Sequence, residues 1–116
     1  MHLLKMPHAR CIAIISLSLL LNHAFASSPL EGKKIAFDRK KGNCIACHAM
    51  EDGDMPGNIG PPLTSMRLRF PNRTTLKAQI WDASSNNPLS VMPPFGKHQI
   101  LSSPELEQLI DYLYTL

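Results

Sequence analysis

The chain has 116 residues, room for one small domain and no more. Its formal net charge of +3 is too slight to mark a nucleic-acid binder. Two of those cations, Lys5 and Arg10, lie in a leader segment expected to be removed, which leaves +1 on the rest.

That segment is read first. Lys5 and Arg10 form a positive start, Ile12 to Leu21 is apolar apart from Ser16 and Ser18, and Ala24-Phe25-Ala26 offers a small-x-small cleavage site. The apolar run is about half of the roughly 20 residues that a spanning helix needs, so no membrane anchor is expected. Residues 1–26 are read as a cleaved signal peptide and 27–116 as the mature domain, placed in the periplasm. Cys11 opens the apolar run instead of closing it, which is the wrong place for a lipid-bearing cysteine, and it leaves with the leader.

Leu30 to Lys40 reads as a helix with Ile35 and Phe37 as its bulky apolar residues, broken by Gly42-Asn43. Met50 to Pro62 is loop, punctuated by Asp52-Gly53, Pro56-Gly57 and Gly60-Pro61-Pro62. Thr74 to Trp81 is a second helix, started near Asn72 or Thr74, with Leu76, Ile80 and Trp81 toward the core. Ser84 to Gly96 is loop again. The last helix has the clearest signals: Ser102 and Glu105 are spaced as a capping box, and Pro104 suits a first turn. Leu106, Leu109, Ile110 and Leu113 then follow at i, i+3, i+4 and i+7. No segment alternates as a strand, and the expected fold is all-α.

Cys44-Ile45-Ala46-Cys47-His48 carries the chemistry. Two thiols separated by two residues can reach the two vinyl groups on one edge of a porphyrin, and the adjacent histidine can swing its imidazole beneath the iron. A thioredoxin-type pair would sit in a strand-rich pattern that is missing here. A zinc site would want four ligands, and beyond these three only His98 remains in the mature chain. One covalent haem c, attached at Cys44, Cys47 and His48, is the expectation. Burial of roughly 500 Å² of apolar porphyrin surface would contribute on the order of 12 kcal/mol before opposing terms. So small a domain is expected to fold around its cofactor.

The second axial ligand must come from a segment on the other haem face. Met92, in Val91-Met92-Pro93-Pro94-Phe95, is the first choice: a soft, neutral thioether favours Fe(II) and raises the potential. Flanking prolines restrict the loop that presents it. Met50 is too near His48 to reach round, whereas Met55, Met66 and His98 stay open as alternatives. The Pro61 carbonyl is placed to take the other ring N–H of His48, and Ile59, Leu63, Ile80, Leu89 and Phe95 are candidates to line the porphyrin. One of Arg67, Arg69 and Arg73 can meet a haem propionate. Lys33, Lys34, Arg39, Lys40 and Lys41 can form a face for an acidic partner, although charge runs are usually solvated.

The order of these signals resembles that of class I cytochromes c. Gly32 and Phe37 match the glycine–aromatic pair that in that family packs on the last helix, here around Leu109, Tyr112 and Leu113. A narrower likeness lies in the run Lys41 to Ala49 and in Gly57-Asn58-Ile59-Gly60-Pro61-Pro62-Leu63. It continues through Arg69-Phe70-Pro71-Asn72-Arg73, Gln79-Ile80-Trp81-Asp82-Ala83, Met92 to His98 and Ile110 to Leu116. Together they resemble the SoxX subunit of the SoxAX cytochromes.

That resemblance implies a class I cytochrome c fold and a place in a periplasmic heterodimer with a haem-bearing SoxA-type subunit. The pair joins thiosulfate oxidatively to a cysteine of a carrier protein, and SoxX passes the electrons to a soluble cytochrome. The catalytic cysteine belongs to the A subunit, so no independent activity is expected here. The competing reading is a free periplasmic electron carrier. A third, a haem catalyst with an open iron site, requires Met92 to be displaced.

Overall fold

The computed structural model describes residues 28–116. The expected signal peptide at 1–26 and Cys11 lie outside them. Four α-helices follow in order: α1 (Pro29–Phe37), α2 (Met66–Arg69), α3 (Arg73–Trp81) and α4 (Ser103–Leu113). Short 3₁₀ turns cover Cys44–Ala46 and Ala83–Ser85, and the described residues contain no strand.

Helix α1 begins where Ser28 accepts the Leu30 N–H and Pro29 fills a position that has no intrahelical bond to lose. It ends at Phe37, three residues before the expected Lys40. Asp38 is the reason. Its side chain takes the Lys40 N–H at 2.8 Å and its carbonyl takes those of Lys41 and Asn43, so the short polar side chain redirects the backbone into a turn. Gly42 then donates back to the Ile35 carbonyl at 3.1 Å. Asn43 adopts a left-handed φ of 46°, which asparagine tolerates better than most residues, and delivers the chain into the Cys44 turn.

The crossing of α1 and α4 organises the core. Gly32 lies so close to α4 that a Cβ there would stand 1.9 Å from the Gln108 carbonyl oxygen, and only glycine allows that approach. The Phe37 and Tyr112 rings meet edge-on, with centroids 6.4 Å apart. Beneath them Ile35, Ala36, Leu106, Leu109, Ile110 and Leu113 are buried. The capping box of α4 is complete: Ser102 accepts from the Glu105 N–H, and Glu105 accepts in return from the Ser102 N–H at 2.9 Å. Glu105 also takes the Lys41 ammonium, fastening the segment before Cys44 to the start of α4.

Helix α3 is capped by Asn72, which accepts the Thr74 N–H at 2.8 Å, and it buries Leu76 and Ile80. Trp81, expected in the core, is 42% exposed and lies over Gly96 instead. Arg73 clamps α3 to α4 through Glu107 at 2.7 Å and Asp111 at 2.5 Å, with Lys77 adding a second contact to Glu107. Helix α2 has no counterpart in the sequence reading, because one turn is too short to show a period. It is tied to the end of the chain by Met66 N–H donating to Leu116 O and by Tyr114 O–H donating to Phe70 O.

Candidate functional site

Between α3, α4 and the loops lies a cavity of about 670 Å³. Cys44, Cys47, His48, Pro61, Leu63 and Met92 all line it, so the six residues singled out from the sequence come together around one space. The 3₁₀ turn that starts at Cys44 does part of this work. Cys47 and His48 both donate their backbone N–H groups to the Cys44 carbonyl, at 3.1 and 2.9 Å. Cys44 and Cys47 are not joined to each other by a disulfide. Burial pushes the Cys44 thiol up to about 11.

His48 is held by the segment that follows it. Its Nδ1 stands 2.7 Å from the Pro61 carbonyl, and a carbonyl only accepts, so Nδ1 carries the proton. The Nε2 lone pair is thereby left for a metal. Gly60 passes against the face of the imidazole, where a Cβ would stand 2.3 Å from Cε1. Gly60 N–H to Cys47 O and Leu63 N–H to Ala49 O, each at 2.8 Å, stitch the 60–63 segment to the cysteine turn.

The remaining walls are mainly apolar. Leu63, Met66, Leu76, Ile80 and Phe95 are buried along them, and Ile59 and Leu89 line the cavity from exposed positions. Of the alternative axial ligands, Met55 is 96% exposed, and neither it nor the exposed His98 reaches the cavity. Met66 does reach it, at 2% exposure, with its sulfur 3.5 Å from Arg69 Nη1. Three cations also face this space: Arg39, Lys41 and Arg69. Arg69 is anchored by donating to the Pro62 carbonyl at 2.6 Å. Arg73 is engaged with α4, and Arg67 stacks on Tyr114 at 4.7 Å. Lys33 pairs with Asp52 and Lys34 with Glu31, so part of the basic run is neutralised within the chain.

The site fits a flat, largely apolar macrocycle with acidic substituents. It offers two thiols, an imidazole with its tautomer set, a thioether and nearby cations. Among the described residues no three of His, Cys, Asp and Glu are placed so that together they would hold a metal ion.

A family model described as "Cytochrome C oxidase, cbb3-type, subunit III" matches residues 30–113. The chain belongs to this cytochrome c family. Membership implies haem c, and the helical architecture is that of a class I cytochrome c. Among solved structures, one titled "Crystal structure of SoxXA from P. pantotrophus" aligns with a TM-score of 0.68 at 26% identity, covering 77% of this chain and 81% of that one. The chain is thus a SoxX-like cytochrome c, as its motifs suggested. A curated relative, an "Uncharacterized lipoprotein" from Aquifex aeolicus (strain VF5), is 34% identical over 76 residues, or 65% of this chain. The match spans 37% of that relative's length. Among the described residues of this cytochrome, no helix is long and apolar enough to cross a membrane.

The sequence keeps Met66 open as a ligand but gives no sign of helix α2, which carries it. Two further features have weaker signals. Gly60 was read as part of a turn, with no sign of its contact to the ring. Asp82, a buried acid beside the Met92 loop, has no local signal beyond the two serines that follow it.

Proposed function

We propose that this cytochrome is the electron-accepting subunit of a SoxAX-type enzyme, exported as residues 27–116 with one haem c bound covalently through Cys44 and Cys47. His48 and Met92 would hold its iron. The observation that carries the reading is the gathering of Cys44, Cys47, His48 and Met92 on one apolar cavity, in a fold that aligns with a SoxXA chain. When bound, haem c supplies a one-electron redox centre whose potential a thioether ligand raises.

The chain's own residues set the conditions. Pro61 fixes which nitrogen of His48 faces the cavity, Leu63 and Ile80 would exclude water, and Arg69 would compensate a propionate. Met92 is favoured over Met66 because of where each is mounted. Met66 follows the 60–63 segment that is stitched to His48, whereas Met92 arrives on a separate loop from the end of α3. With both cysteines committed to haem, no thiol remains in 27–116 to carry sulfur. Conjugation of thiosulfate to a carrier thiol forms a sulfur–sulfur bond and releases two electrons. The partner must therefore hold the reacting sulfur, and this subunit takes electrons onward to a soluble cytochrome.

Size-exclusion chromatography read at haem wavelengths tests this. Mixed with a haem-bearing A-type subunit, the holoprotein should elute as a stable heterodimer. Given thiosulfate and a thiol carrier protein, the pair should reduce this haem, and neither subunit should do so alone. A monomer that ignores the A-type subunit yet exchanges electrons quickly with unrelated redox proteins would make it a free carrier.

A further inference from the structure

Met92 stands at the middle of a loop whose two ends are fastened to the same place. At its start Asn86 and Asn87 donate backbone N–H groups to the Ala83 carbonyl at 3.2 and 3.0 Å, and the Asn86 side chain donates to Gln79 at 2.8 Å. At its end Gly96 and Lys97 donate theirs to the Trp81 carbonyl at 3.3 and 3.1 Å. The Trp81 ring covers Gly96 so closely that a Cβ there would lie 2.0 Å from it.

Asp82 sits between the two fastenings. It is 5% exposed and is the one buried charged residue among those described. Its carboxylate accepts from Ser84 N–H at 3.2 Å, from the Ser84 hydroxyl, from the Ser85 hydroxyl at 3.0 Å and from Lys97 Nζ at 2.7 Å. Three of these donors are local and neutral. Only Lys97 comes from beyond Met92.

We propose that Asp82 is a positioning residue for axial ligation: through Lys97 it closes the 86–97 loop and so keeps the Met92 thioether in the cavity wall. This rests on the reading of Met92 as the second axial ligand. A buried carboxylate needs a counter-charge, whereas the Lys97 side chain, more than half exposed, can hydrate without help. The dependence is therefore on the acid side. A loop tied at both ends to α3 and the turn after it has few conformations to explore. Released at one end it gains many, and the sulfur spends less of its time within bonding reach.

The test uses oxidised holoprotein as wild type, Asp82→Asn, Lys97→Gln and Lys97→Arg, with Met92→Ala as the ligand control. Two signals are followed through a mild urea series: the weak charge-transfer band of iron–thioether bonding, and amide hydrogen exchange at Gly96 and Lys97. Asp82→Asn and Lys97→Gln should lose the band at urea concentrations where wild type and Lys97→Arg retain it, before any loss of helix signal. Exchange at the two amides should rise about tenfold or more, as local opening predicts. Lys97→Gln keeps the Asp82 turn intact, so it decides the matter if Asp82→Asn fails to fold. Wild-type band and exchange in Lys97→Gln, or loss of the band only together with the helices, would overturn the proposal. A wild type that shows no band, or a band that survives Met92→Ala, removes Met92 from the iron; exchange then decides the loop closure alone.

Discussion

Gly60 and the two cavity methionines show how much rests on single side chains. A methyl group at Gly60 would collide with the His48 ring at 2.3 Å. Gly60→Ala should therefore push the imidazole off the Pro61 carbonyl and cost about 1–3 kcal/mol, the usual penalty for overpacking. Thermal denaturation of the holoprotein measures the cost, and a shifted haem spectrum reports the displaced ring. Met92→Ala should abolish the thioether charge-transfer band and lower the midpoint potential. Met66→Ala should instead keep the band while losing about 2–5 kcal/mol of stability, as a core truncation does. If Met66→Ala removes the band and Met92→Ala leaves it, the ligands have been assigned the wrong way round.

At the scale of elements, what could be read in advance depended on whether the signal was local. Helix α4 carries its own cap and its own apolar stripe, so its limits and its buried face follow from adjacent residues. The end of α1 does not show in the pattern, because Arg39, Lys40 and Lys41 are good helix formers and only Asp38's competing hydrogen bonds stop the helix. The cysteine turn and the Pro61 loop were legible for the same reason as α4, being short spacings with one chemical purpose. The placing of Trp81 and the bond from Lys97 to Asp82 do not show in the local pattern, because Gly96 and Lys97 reach them only through tertiary structure. The link from Lys41 to α4 makes a prediction at this scale. The Lys41 ammonium, with the Ser102 N–H and hydroxyl, holds the Glu105 carboxyl down at about 2, against an ordinary 4.5. A depressed carboxylate stabilises the fold above its unfolded value, and the contribution is lost as pH falls through the folded one. Stability of the holoprotein should therefore decline between about pH 4.5 and pH 2, and Lys41→Gln should flatten that part of an acid titration. An unchanged acid profile would mean that this contact adds nothing in solution.

For the whole molecule, covalent attachment has a simple readout. Acid–acetone extraction should leave haem on the wild-type polypeptide, and Cys44→Ala should weaken or abolish that retention. Haem that leaves the wild type freely would contradict the thioether reading. The crossing of Gly32 beneath Gln108 and Tyr112 has a further, kinetic consequence. Helix α1 is made near the start of the chain, and its partner α4 is made near the end. Contacts so distant in sequence are slow to form, because a long loop must close before any packing rewards it. A chain emerging from its amino end thus exposes the Cys44 turn well before α4 exists to complete the core around it. During that delay both thiols would stand open to an incoming porphyrin. Packing of the last helix would then close the cavity around its cargo, so amino-terminus-first emergence on export would favour loading before closure.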